Sequence, residues 1–336
     1  MKPLVSILIP AYNAAPFLAD TIKSALAQTW ERKEIIIVDD GSKDATVAVA
    51  QSFAKDGVKV ITQKNAGAAA ARNHAYAQSQ GDYIQWLDAD DLLSPDKITR
   101  QMQVAVTAGP RTVLSCGWGF FSHRPQRAKF IPSLLWEDLT PLEWLCRKWE
   151  HNLFMQTATW LTSRELSEQA GPWDARMMGD DDGEFFFRVI RGAAGIRFVP
   201  DARVYYRISG GNRLSYISRS NKKMDAQFLG MQMQIGYLRA LADDARVRAT
   251  CVTYLQNWLV NFYPERMDLV TASQKLAEEM GGKLQTPELS WKYRWIQKTF
   301  GWPAARAAQV NYNEWKAGAL RSWDRVMFQI EGGRAD

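Results

Sequence analysis

Residues 81–91, GDYIQWLDADD, end a strand-like run in Asp88, Asp90 and Asp91. Carboxylates packed at a strand end repel one another, so folding alone does not favour them there. A hard divalent cation relieves that repulsion, because Mg²⁺ and Mn²⁺ take carboxylate oxygens and usually keep phosphate oxygens as further ligands. The residue types therefore point to an enzyme that handles a diphosphate through a metal. The alternative is a helix N-terminus near Ser94-Pro95 capped by Asp90 or Asp91. A second acidic run, Gly179-Asp180-Asp181-Asp182-Gly183-Glu184, leads into the helical Phe185-Phe186-Phe187-Arg188. It reads either as catalytic carboxylates or as a solvated helix start whose acids complement the dipole. A calcium loop is disfavoured because the spacing of an EF-hand is missing.

The elements that must position these acids alternate in type. Residues 5–10, 34–38, 58–62 and 83–87 are apolar runs expected as strands. Residues 17–28, 44–55 and 67–79 carry helical periodicity. This β-α order predicts a parallel sheet covered by helices, whose ligands bind at the carboxyl ends of its strands. The polar clusters fall at those ends: Tyr12-Asn13, Asp39-Asp40-Gly41-Ser42, the stretch 63–67, and Asp88-Ala89-Asp90. Beyond residue 105 the pattern loosens. Strands are expected at 113–121, 196–199 and 202–208, and helices at 142–148 and 185–191. From about 217 the chain reads as mostly helical.

Composition narrows the class. The chain has 336 residues, 46% hydrophobic and 23% charged, with net charge +6. That is globular, with a mild basic excess suited to anionic substrates or an anionic membrane surface. No nucleic-acid-binding pattern is present. Cys116, Cys146 and Cys251 form no metal or disulfide spacing and are expected as buried thiols in a reducing compartment. Three scattered histidines give no support to a zinc site or a Ser-His-Asp triad. No apolar run is long enough to span a bilayer. Met1-Lys2 leads directly into a strand without a secretory signal, so a cytoplasmic protein, or one peripheral to the inner face of the membrane, is expected.

Five segments in order, VSILIPAYNAA, EIIIVDDGSKDAT, QKNAGAAAARN, GDYIQWLDADD and GPWDARMMGDDDGEFFFRVI, together resemble the family 2 glycosyltransferases. The resemblance covers about two thirds of the chain. It implies an α/β, GT-A type fold with a mostly parallel central sheet flanked by helices and a C-terminal, mainly helical extension. Residues 1–105 would form the nucleotide-sugar-binding half, 106–216 the acceptor half with the catalytic base, and 217–336 the helical region. By the same resemblance Pro10, Tyr12 and Asn13 floor the nucleotide pocket; as a plain β-α turn, Asn13 would instead cap the helix. Asp40 meets a uracil-like base. Lys64, Asn65, Gly67 and Arg72 lie on the phosphate side, with Arg72 as a phosphate contact. Asp88-Ala89-Asp90 is the family's Asp-x-Asp motif, in which Asp90 is the main ligand of Mn²⁺ or Mg²⁺ and Asp88 supports it. Asp91 caps or orients.

In the second acidic run the family's glutamate is replaced by Asp181 and an extra Asp180 precedes it, so the base is Asp182 or Asp181. Arg207, Arg213 and Ser215 are candidate diphosphate contacts. The resemblance further implies inverting transfer from a nucleotide-diphosphate sugar, with a lean towards uridine, to a hydroxyl of a glycan, lipid-linked or other acceptor. The Gln-x-x-Arg-Trp motif of processive synthases is missing. The alternatives are a sugar nucleotidyltransferase, whose Gly-rich first loop is replaced by Ala11-Tyr12-Asn13-Ala14-Ala15, and a catalytically silent sugar-binding module.

Trp118, Trp136, Trp144, Trp149, Trp160 and Trp173 are read mainly as core. The tail mixes tryptophans with Lys and Arg. It is expected to pack on the catalytic domain, the alternatives being a membrane interface or a homodimer contact.

Overall fold

The computed structural model describes residues 2–209 and 220–331. Four parallel strands form the centre: β1 (Val5–Ala11), β2 (Lys33–Asp39), β3 (Val58–Thr62) and β4 (Tyr83–Trp86). The short β8 (Thr162–Ser163) adds an antiparallel edge, giving the order β3-β2-β1-β4-β8. Strands β1, β2 and β4 are buried on both faces, which explains their nearly continuous apolar sequences, whereas β3 lies at the edge and is only partly buried. Alternate side chains still divide the core. Leu8, Ile36, Val38, Ile84 and Trp86 join one cluster, beneath α3 (Ala68–Ala77) and α7 (Asp181–Gly192). Ile7, Ile9, Ile35, Ile37 and Leu87 join another, with α1 (Ala15–Leu26), α2 (Thr46–Ser52) and α4 (Lys97–Ala108).

A second sheet, ordered β5-β9-β6-β7, comprises β5 (Leu92–Leu93), β6 (Thr112–Phe121), β7 (Lys129–Phe130) and β9 (Gly195–Arg207). A bridge between Leu114 and Leu161 joins it to the first sheet's edge. The two strands expected at 196–199 and 202–208 are one strand, β9. Pro200 and its neighbours bulge out where the register against β6 shifts, between Cys116 and Gly117. Helix α5 (Pro141–Glu150) is capped by Thr140, whose hydroxyl accepts from the Glu143 amide at 3.2 Å. Helix α6 (Arg164–Ala170), capped by Ser163, has no counterpart in the sequence reading. All three cysteines are free and buried.

The helices α8 (Asn221–Leu241), α9 (Ala245–Leu259) and α10 (Met267–Glu279) bury Phe228, Met231, Leu255 and Leu269 in the cluster that also holds Trp86 and Phe185. The last helix, α11 (Arg294–Ile330), is kinked at Gly301. Packing was expected for this tail, but of its residues only Trp302 and Ala305 are buried. Trp295, Trp315 and Trp323, with Trp291 just before the helix, are exposed. The attachment near the helix end is ionic instead: Arg124 donates to Asp324 at 2.7 Å and to Glu331 at 2.8 Å. No helix among the described residues is long and apolar enough to cross a membrane.

Side-chain-to-backbone bonds lock the loops at the carboxyl edge together. The Asn13 amide donates to Ser42 Oγ at 2.9 Å, and Asn13 Oδ1 accepts from the Lys43 amide at 2.8 Å. Asn13, with φ 48°, therefore ties the first loop to the second and does not cap α1. That helix start is satisfied by Thr46 and Asp44 from the second loop. Gly41 sits at φ 72°, where a Cβ would stand 2.8 Å from the Asn65 amide nitrogen. Gly41→Ala should therefore cost about 1–2 kcal/mol and lower the melting temperature by several degrees. An unchanged thermal melt would show that the three loops are not interlocked in this way.

Candidate active site

Arg72, on the first turns of α3, is 6% exposed and lies between the two acidic runs. One terminal nitrogen donates to Asp88 Oδ1 at 2.9 Å and the other pairs with Asp181 Oδ2. Its guanidinium carbon lies 4.4 Å from the centre of the Trp173 ring. Burial pulls the Arg72 pKa down, but the charges of Asp181 and Asp88 outweigh it, and the group is held firmly cationic. Arg72, expected on the phosphate side, has each terminal nitrogen bonded to a carboxylate here, while its buried Nε has no hydrogen-bond partner. What Arg72 does is join the two acidic runs, reaching Asp181 109 residues further along the chain.

The strand-end acids differ in environment. Burial, and then the charges of Asp90 and Asp182, push Asp88 up to about 6 against the pull of Arg72. One acid of each run, Asp88 and Asp181, is bonded to the same guanidinium. Asp90 accepts the Ser209 hydroxyl at 2.7 Å on Oδ2, and its backbone carbonyl accepts from Arg207 Nε at 2.8 Å. Ala89 is held by the Thr21 hydroxyl on its carbonyl at 3.0 Å. Asp91 is fully buried, accepting from the Arg207 amide at 2.8 Å and from the Gln156 side chain. Burial and the charges of Asp90 and Asp88 raise its pKa well above the usual range. Asp91 thus orients the loop. Neither Asp90 nor Asp91 caps α4, whose N-cap is Asp96.

On the other side, Asp181 opens α7 and is spent on Arg72. Asp182 Oδ2 accepts the Thr157 hydroxyl at 2.9 Å, and its Oδ1 accepts the Gly183 amide at 2.9 Å. Glu184, fully buried, is held by Arg188 through bonds of 2.7 and 2.8 Å. Asp180 faces Gln227 and Gln234 of α8 at 3.4 and 3.2 Å. A cavity of about 50 Å³ lies beside Asp180 and Asp182, walled by Lys148, Phe154, Met155, Trp160 and Phe186. Trp144, Trp149, Trp160 and Trp173 are each 2% exposed and belong to the core.

The remaining expected residues line the strand ends. Pro10 is half-buried, and Tyr12 is exposed at the rim. Asp40 is buried. Its Oδ1 accepts Gln63 Nε2 and the Ala66 amide, and its Oδ2 the Gly67 amide, all at 2.8 Å. A carboxylate has about four acceptor sites, so most of its capacity is spent on holding the third loop. Asp39 Oδ1, next to it, is buried without a partner. The Ala66 and Gly67 amides, which would otherwise face phosphate, are engaged by Asp40. Lys64, Asn65 and Gly67 stay exposed beside this edge. Arg213 and Ser215 lie outside the described residues.

Sequence reasoning missed Gln156 and Thr157, which touch the first and second acidic runs respectively, and Ser209. Their segments are irregular, and only the tertiary fold brings them to the acids.

Two observations test whether these residues suit a divalent cation. Asp88 Oδ2 and Asp90 Oδ1 have no hydrogen-bond partner among the described residues. No group of three His, Cys, Asp or Glu side chains converges as a cage among the described residues. The arrangement fits Mg²⁺ or Mn²⁺, which bind through one or two carboxylates and complete their shell with substrate phosphates.

Residues 6–170 match the family model described as Glycosyl transferase family 2. A putative teichuronic acid biosynthesis glycosyltransferase of Bacillus subtilis, TuaG, is 37% identical over 145 residues, covering 42% of this chain and 52% of the relative. The chain spans about half the length of the curated relatives it matches. Among solved structures, Staphylococcus aureus TarS 1-349 in complex with UDP-GlcNAc aligns with a TM-score of 0.66 at 15% identity, covering 82% of this chain and 81% of that one. The mannosyltransferase PcManGT of Pyrobaculum calidifontis, in complex with GDP-Man and Mn²⁺, aligns with a TM-score of 0.53 at 18% identity, covering 92% and 87%. At these identities the two structures establish the shared GT-A fold.

Burial, and then the Asp182 charge, push Asp180 up to about 6 against the pull of Lys148. The folded state therefore holds this proton longer than the unfolded chain, whose carboxyl titrates near 3.8. Stability from Asp180 is present at low pH and lost as pH rises through 6. Asp180→Asn should raise the melting temperature at pH 7.5 by about 2–4 °C, with the gain shrinking towards pH 4. A lower melting temperature across that whole range would contradict this.

Proposed function

Because its residues 6–170 make this chain a member of the family 2 glycosyltransferases, we propose that it transfers a sugar, with inversion, from a nucleotide-diphosphate donor to an acceptor hydroxyl. One observation carries the assignment of roles: Arg72 is spent on Asp88 and Asp181, which leaves Asp182 as the acid of the second run that faces the cleft without a cationic partner. Asp182 is the general base. Thr157 and the Gly183 amide aim its carboxylate, and the remaining lone pairs accept the acceptor's proton as its oxygen attacks the anomeric carbon. Asp181 is a positioning residue. Through Arg72 it fixes the distance between the base and the donor loop.

Asp90 and Asp88 are the residues that would hold the cation. When bound, Mn²⁺ or Mg²⁺ neutralises the charge that gathers on the leaving diphosphate. Tyr12 offers an exposed ring for the base, while Lys64 and Asn65 lie at the mouth of the donor side. The cavity beside Asp182, with half-exposed Phe154 at its edge and Trp118 5.2 Å behind it, is the proposed approach of the acceptor. A uridine donor is the first to test. TarS binds UDP-GlcNAc and PcManGT binds GDP-Man, so a screen of UDP- and GDP-sugars with and without acceptors decides the base.

Asp182→Asn should lower turnover by about 10²-fold or more with donor affinity nearly unchanged. Near-normal turnover in that variant would remove Asp182 from the role. Asp90→Ala should abolish Mn²⁺-dependent UDP binding in titration calorimetry. Binding that keeps its metal dependence would place the cation elsewhere.

A further inference from the structure

We infer that the second half of α11 is a docking surface for an anionic lipid bilayer. After the kink at Gly301, Tyr312, Trp315, Ala319, Trp323, Val326 and Ile330 recur at spacings of three and four, so they share one face of the helix. That face is turned away from the protein: Trp315 is 69% exposed, Trp323 65% and Ile330 71%. The opposite side makes the attachment, through Asp324 and Glu331 on Arg124 and Phe328 against His123. The side that carries Asp324, Phe328 and Glu331 thus meets the protein, while the tryptophan side meets solvent.

Charge selects the occupant. Between residues 291 and 331 stand Lys292, Arg294, Lys298, Arg306, Lys316, Arg321 and Arg325 against Glu314, Asp324 and Glu331. Two of those three acids are paired with Arg124. Lys316 lies within the apolar face, one turn from Tyr312. In a seam between two copies of the helix that ammonium would have to be buried. At a bilayer surface it extends to the headgroups while its stem stays with the apolar face. Tryptophan and tyrosine favour the same boundary between acyl chains and headgroups, and cations near an anionic leaflet add attraction. Trp291, Trp295 and Phe300, exposed before the kink, extend the aromatic surface.

The test is co-sedimentation of the full chain with phosphatidylcholine vesicles that do or do not contain about 30% phosphatidylglycerol. The wild type should bind the anionic vesicles, and less so at high salt. Trp315→Ser combined with Trp323→Ser should weaken that binding by about tenfold or more without changing the thermal melt or the sedimentation behaviour of the free protein. Lys316→Glu with Arg325→Glu should remove the preference for anionic vesicles. The inference is overturned if the wild type ignores anionic vesicles or the tryptophan pair binds as well as the wild type. It is equally overturned if light scattering finds a dimer that the tryptophan substitutions dissociate, which would assign the face to a second copy.

Discussion

The guanidinium of Arg72 lies between two acidic loops that repel each other, and the rest of the cleft is arranged around keeping it there. Losing one partner of such a buried pair typically costs about 3–5 kcal/mol, because the remaining charge is left uncompensated. The pairing is braced from below by the Trp173 ring. Asn73, the next residue on α3, binds the Trp173 backbone twice, accepting from its amide and donating to its carbonyl, each at 2.8 Å. Two consecutive side chains of one helix thus hold the stretch that leads into α7. The loop of Asp88 and the start of α7 keep their separation because both are tied to the same turn of α3.

Support for this centre radiates into both sheets. Arg207, at the end of β9, binds the backbone of Asp90 with its side chain and the carboxylate of Asp91 with its amide. The second sheet thereby holds the strand-end acids of the first. On the far side, Gln227 and Gln234 of α8 contact Asp180, so the C-terminal helices complete the wall of the site. They share a hydrophobic cluster with α7 through Phe228, Met231 and Leu255. A carboxylate-rich cleft needs this rigid backing, because without it the loops would relax apart and lower their electrostatic energy.

Much of this was legible in the sequence because buried parallel strands write themselves as apolar runs. Residues 34–38 and 58–62 were found nearly to the residue, and the direction of a β-α unit brings the following loops to one edge. The choice between Asp181 and Asp182 was not legible. Adjacent positions on a helix start point about 100° apart, and only the packing of α7 against α3 decides which meets Arg72. The bonds from Arg72 to Asp88 and Asp181 were not legible either, because a cation after a small-residue helix start suits phosphate as readily as a carboxylate. Gln156 and Thr157 stood in an irregular stretch with no periodic signal. The tail misled for a different reason: tryptophans suggest a core, but their spacing and the ion pairs on the reverse face put them in solvent.

The most direct measurement is a crystal structure of the chain with UDP and Mn²⁺, read through the anomalous signal of manganese. The account predicts manganese density at the Asp90 carboxylate, with Arg72 still bridging Asp88 and Asp181 and the Asp182 carboxylate facing the same cleft. Manganese away from Asp90, or an Arg72 released from both acids while Asp182 turns to a different surface, would contradict it.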